Sequence, residues 1–131
     1  MKNLLLIFTL LFSTLMFSSP TYAKWTKVIG GVSRDTIYVD FERIREYDGF
    51  VYYWRLNNYL KPTKYGDLST KVQNQGDCKL FRFKNLSTTY HAQSMGRGTG
   101  EVIKPKGENA NWKYPSPNSV GETILKLVCS K

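Results

Sequence analysis

The chain has 131 residues, with nineteen Lys and Arg, ten Asp and Glu, one His, two Cys and a formal net charge of +9. That length holds one domain around one core. His91, Cys78 and Cys129 show neither the close ligand spacing of a metal site nor the Cys-x-x-Cys of a redox pair. The charge favours polyanions or anionic surfaces as partners, while the standard nucleic-acid motifs are missing, which argues against a specific nucleic-acid role.

Met1 to Ala23 reads as a secretory signal: Lys2 supplies the positive start, Leu4 to Phe17 the apolar stretch, and Thr21-Tyr22-Ala23 a small residue at the cleavage position. The apolar run is shorter than the roughly 18 to 20 residues of a spanning helix, so an uncleaved anchor is the weaker alternative. Without a cysteine near the cleavage site there is no atom for lipid attachment, and nothing after Ala23 is apolar enough to span a bilayer. Taking 23 residues from 131 leaves 108, and without Lys2 eighteen cations face ten acids, a mature net charge of +8.

From Trp25 the segment WTKVIGG predicts a short strand ended by Gly30-Gly31, and Asp35 to Asp40 a second, in which Ile37 and Val39 alternate with Thr36 and Tyr38. Asp40 is placed to cap a brief helical turn, FERI, and Asp48-Gly49 is a turn signal. The strongest strand signal follows. Phe50, Tyr52, Trp54 and Leu56 recur at period two, alternating with Arg55 and Asn57, which predicts a strand buried on that one face. Lys61 to Leu68, with Pro62 and Gly66, reads as a loop, and Ser69 to Gln75, polar on both faces, as an edge or solvent-facing strand.

Two cysteines in an exported chain are most simply one disulfide, Cys78 to Cys129, whose long loop gives about 4 kcal/mol in the chain-entropy treatment. After Cys78, Phe81 and Phe83 alternate with Arg82 and Lys84, so one face of a strand buries and the other is positive. Met95 to Gly100 reads as a flexible turn, Val102-Ile103 as a short strand, and Trp112 as the anchor of a Pro-rich connection. Ser119 and Glu122 form a capping box ahead of Val120, Ile124, Leu127 and Val128, which share one helix face. A helix this short is stable only when packed on the sheet. The fold class is therefore α+β, an antiparallel β-sheet with one C-terminal helix packed on it and tied by the disulfide.

Two groupings bear on function. Asp40 and Glu42 are closely spaced carboxylates, but with a single histidine and no free thiol the usual catalytic groups are scarce, so no enzyme and no cofactor are expected. Arg55, Lys71, Arg82 and Lys84 would form one positive face if their strands are neighbours, suited to heparin-like polyanions or acidic segments of a protein; ordinary solvated charges are the competing reading. No feature sets an oligomeric state.

The residues also carry a resemblance. Trp25, Tyr38-Val39-Asp40, Gly49, Val51 with Trp54, Tyr59, Ser69 with Lys71, Asp77-Cys78, Arg82, Tyr90, Met95-Gly96 with Gly98, Trp112, Pro117 with Ser119, and Cys129 together resemble the surface-adhesin protein E family of exported bacterial proteins. The resemblance covers essentially residues 24–131 and implies the same sheet, helix and disulfide. It further implies an envelope or surface protein of a kind that binds host extracellular-matrix and plasma proteins such as vitronectin and laminin. This chain departs from the family's named member in lacking a lipidation cysteine, and no family binding residue maps onto it. A periplasmic structural or accessory envelope protein without a host role is the alternative.

Overall fold

Short β-branched and aromatic runs separated by turn residues build seven antiparallel strands among the described residues. These are β1 (Thr26–Gly31), β2 (Arg34–Val39), β3 (Arg45–Tyr47), β4 (Phe50–Asn58), β5 (Ser69–Asp77), β6 (Arg82–His91) and β7 (Gly100–Ile103); one helix, α1 (Val120–Cys129), follows. The computed structural model describes residues 23–31 and 34–131. The expected signal therefore lies outside the described residues except for Ala23. Among the described residues, no helix is long and apolar enough to cross a membrane.

The strands form one sheet in the order β1-β2-β4-β5-β6-β7, with β3 beside β4. β2 pairs with residues 55–58 of β4 and β3 with residues 50–52, so the 3-10 turn Phe41–Arg43 bulges out between two partners on the same edge. Asp48 (φ 52) and Gly49 (φ 82) close the β3–β4 hairpin, as two consecutive positive φ angles require.

Register and the two-residue period assign each side chain to a face. Val39, Val51 and Tyr53 meet Ile124, Leu125 and Val128 of α1 in the core. This corrects the parity expected for β4: Val51 and Tyr53 are buried beneath the helix, while Phe50, Tyr52 and Trp54 lie half-buried on the opposite face. Both parities of this strand are apolar, so alternation alone did not select the covered one. Leu56 shares the parity of Trp54 yet is fully buried, because the turn at Ser94–Gly96 folds over it.

β5 is also a correction. It lies between β4 and β6, and seven of its nine residues are buried, so it is neither an edge nor a solvent-facing strand. Two of its buried side chains find internal partners: Ser69 Oγ donates to the Gln93 carbonyl at 2.6 Å, and Thr70 Oγ1 meets Asn57 Nδ2 at 3.0 Å and the Tyr59 hydroxyl at 3.1 Å, whereas Asn74 Oδ1 is buried without a partner among the described residues. Satisfied polar groups bury at little cost. The turn expected to be flexible is likewise tied down, Met95 N–H donating to Asn58 Oδ1 at 2.7 Å and Gly96 N–H to Ser69 Oγ at 2.8 Å.

Ser119 Oγ accepts the Glu122 N–H at 3.2 Å and so caps α1, while the Glu122 carboxylate accepts the Asn118 N–H. The buried residues of α1 are Ile124, Leu125 and Val128, so Leu125 takes the place expected of Leu127. Leu125 seats over Gly76, where an added Cβ would lie 3.0 Å from Leu125 Cδ1 and 2.8 Å from Val51 Cγ2. Cys78 and Cys129 form the disulfide that ties the helix end to the β5–β6 turn.

Candidate functional site

The helix covers one face of the sheet, and the other carries an unusual density of aromatic and cationic side chains. At one end a cleft of about 430 Å³ is lined by Trp25, Arg43, Trp54, Lys71, Met95 and Arg97, with Ala23 and Gly96 completing the wall. Each element delivers its residue by a local rule. Trp54 and Lys71 point to this face by strand alternation, since Trp54 pairs with Gln73, and Leu56 with Lys71, across β4 and β5. Arg43 ends the 3-10 turn that interrupts β2 and β3, and its guanidinium lies 5.5 Å from the Trp54 ring centroid. Arg97 is held beside the Ser94–Gly96 turn by bonds from its guanidinium to the Ser94 carbonyl (3.1 Å) and Ser94 Oγ (3.0 Å).

Three cations around two indoles can hold an anionic group by charge and a planar or apolar group by stacking. None of the lining residues named is a carboxylate, imidazole or thiol; the charged side chains among them are all cationic.

The four cations expected to act together are placed in three surroundings. Lys71 lines the cleft. Arg82 and Lys84 share its face but lie farther along the sheet: Lys84 pairs with Gln75, four residues from Lys71 and about 13 Å away by strand rise, and Arg82 pairs with Asp77, six residues and about 20 Å away. There both lie over the Trp112 ring, at 4.4 and 4.7 Å, and Trp112 stacks on Phe50 at 5.5 Å. Arg82 also pairs with Asp77 at 2.9 Å, so much of its charge is answered internally. The Leu80 backbone N–H, with help from Arg82, holds the Asp77 carboxyl below the usual range. Arg55 does not join the others: it pairs across the sheet with Val39 and Val72 on the helix side. Burial there lowers its pKa against the opposing pull of Tyr53 and Tyr59.

Trp25, Arg43, Trp54 and Arg97 were not singled out as site residues in the sequence. Trp54 was legible once Val51 and Tyr53 are recognised as the covered parity. Arg43 and Arg97 were hidden because each sits in a turn whose direction no periodicity encodes.

His91 lies behind Lys71 on the same face, 2% exposed, with neither ring nitrogen hydrogen-bonded among the described residues. Burial, reinforced by Lys71, lowers its pKa below the ordinary 6.5. The unfolded chain thus takes up this proton at a higher pH than the folded one. Stability is full above about pH 6.5 and falls as the pH drops toward the folded value. Urea midpoints between pH 7.5 and 5 should show this decline, and His91→Leu should flatten it; an unchanged acid limb in the variant would assign the decline to other groups.

The architecture is thus an open antiparallel sheet backed by a disulfide-tied helix, with an aromatic and cationic cleft on the face that the helix leaves uncovered. The family model for surface-adhesin protein E matches residues 25–130, and the chain belongs to that family. In fold it is similar to crystal form II of Haemophilus influenzae protein E, at a TM-score of 0.60 and 16% identity over 87% of this chain and 94% of that one. Protein E from non-typeable Haemophilus influenzae aligns with a TM-score of 0.55 at 15% identity, over 87% of this chain and 82% of that one. A comparison with curated proteins found no significant sequence match.

Proposed function

We propose that this chain is an exported, non-enzymatic binding module that engages extracellular-matrix or envelope partners through anionic segments received in the Trp25–Trp54 cleft. The observation that carries this reading is the placement of Arg43, Lys71 and Arg97 around two tryptophans on the sheet face that the helix leaves open. Family membership supports a surface-adhesin role for such a face. Contacts of this kind weaken with salt, as the Debye length falls from about 10 Å at 0.1 M to about 3 Å at 1 M.

Retention on immobilised heparin, used as a model polyanion, and on immobilised matrix proteins tests the reading. Lys71→Ser with Arg97→Ser should elute at clearly lower salt than the wild type, whereas Arg82→Ser with Lys84→Ser should shift elution less, because those cations are engaged with Trp112 and Asp77. Equal elution of folded wild type and the first variant would remove the cleft from consideration. Protease shaving of intact cells separates an adhesin from a periplasmic accessory protein: cleavage supports surface display, and full protection supports the accessory role.

A further inference from the structure

Asp40 is out of keeping with its surroundings. It occupies the N-cap position of the Phe41–Arg43 turn, yet its side chain makes no cap hydrogen bond. It is fully buried, one oxygen accepts the backbone N–H of Lys24 at 3.1 Å, and the other has no partner. Among the described residues no Lys or Arg side chain bridges it. A buried carboxylate with one neutral donor and no counter-charge is costly. The rest of Lys24 is held as well, its ammonium Nζ lying 3.3 Å from a Glu42 carboxylate oxygen. The Asp-x-Glu pair therefore grips Lys24 at both its backbone nitrogen and its side chain. Lys24 is also the residue that follows Thr21-Tyr22-Ala23, where the leader reads as cut.

We propose that Asp40 is the binding site for the α-ammonium group of Lys24, created when the leader is removed after Ala23. A leader peptidase hydrolyses the Ala23–Lys24 amide: water's oxygen bonds to the Ala23 carbonyl carbon, the C–N bond breaks, and the two protons of water end on the Lys24 nitrogen. Ala23 leaves as a carboxylate, and the neutral amide at Lys24 becomes an ammonium carrying three N–H donors in place of one. The new cation supplies the missing charge and has donors for both Asp40 oxygens. The same cut removes Ala23 from the wall of the Trp25–Trp54 cleft, which opens the cleft on its β1 side. Maturation thus completes the fold at the point where the site begins. This inference rests on export with cleavage and is independent of what the cleft binds.

The sign of the pH dependence follows from the pair. An ammonium facing a buried carboxylate keeps its proton above the ordinary α-amino value of about 8. Its contribution is complete below about pH 8 and is lost as the pH rises through the folded value. The other charged groups near it are Glu42 and Arg43 on the 3-10 turn, Lys71 of β5, and Arg97 after the Ser94–Gly96 turn; Lys131 lies over the Phe41 ring. Their titration cancels between two chains that differ only at the amino terminus.

Three measurements test the proposal on the exported, oxidised protein. Its intact mass should correspond to residues 24–131; retention of residues 1–23, or a different start, overturns it. Thermal melts at pH 6 to 10 should then compare this chain with one beginning at Ala23, in which Lys24 keeps an amide nitrogen. The chain beginning at Lys24 should melt about 5 °C or more higher at pH 6 to 7, and the gap should close toward pH 10. Asp40→Asn should abolish the gap, and if that variant does not fold, the comparison of the two amino termini stands alone. Equal melting temperatures across the pH range would overturn the ammonium site even with the correct mass, leaving the export and binding readings intact.

Discussion

Replacing both cysteines, as Cys78→Ser with Cys129→Ser, should lower the stability of the processed domain by about 4 kcal/mol. The bridge closes a sequence separation of 51 residues that spans β6, β7, the Pro-rich connection and all of α1. In the unfolded chain it removes the freedom of that loop, and in the folded chain it fixes the helix end against the β5–β6 turn. A small domain has about 5 to 15 kcal/mol in total, so the loss is a large share of its stability. Urea unfolding of the double variant beside the oxidised wild type measures it directly. A midpoint within error of the wild type would mean that α1 is held by packing alone.

Leu125→Ala should cost about 2 to 5 kcal/mol, the range for emptying a fully buried leucine site. Leu125 is 0% exposed, and Gly76 beneath it has no side chain to move into the vacated space. Leu127→Ala should cost about 1 kcal/mol or less, since Leu127 is only half-buried. Denaturant unfolding of the two variants ranks them, and a larger loss at Leu127 would reverse the assignment of the helix face. The disulfide and Leu125 secure the same helix, so their combined loss should depart from additivity.

Much of this fold was legible in the sequence because it is written in local chemistry. Ser119 and Glu122 marked the start of the helix, Asp48-Gly49 marked a hairpin that the positive φ angles require, and the lone cysteine pair joined the helix to the sheet. What was not legible depended on which neighbour each strand acquired. Both parities of β4 are apolar, so the choice of Val51 and Tyr53 for the core rested on where α1 docks. β5 looked like an edge because its residues are polar; its burial depends on Asn57, Tyr59 and Gln93, which no local pattern assigns to it.

The site followed the same division. Phe83 packs against the core and Arg82 and Lys84 face away from it, as alternation predicts. Alternation could not show that Trp112 would lie beneath those two cations or that Arg55 would face the helix. Asp40 reads as a cap in the sequence, and only the arrival of β1 beside it gives its carboxylate a different partner.

The open face around Trp25 and Trp54 is the surface proposed to receive the ligand. The chain has three tryptophans, so a ¹⁵N-labelled processed domain gives three indole N–H signals that divide the molecule into the cleft and the Trp112 stack. Titration with a heparin oligosaccharide at low salt should shift the Trp25 and Trp54 signals strongly and Trp112 weakly, and the backbone shifts should gather at Arg43, Lys71 and Arg97. Shifts confined to Trp112 or to α1, or three unmoved indoles in a sample that binds, would place the ligand elsewhere than the Trp25–Trp54 cleft.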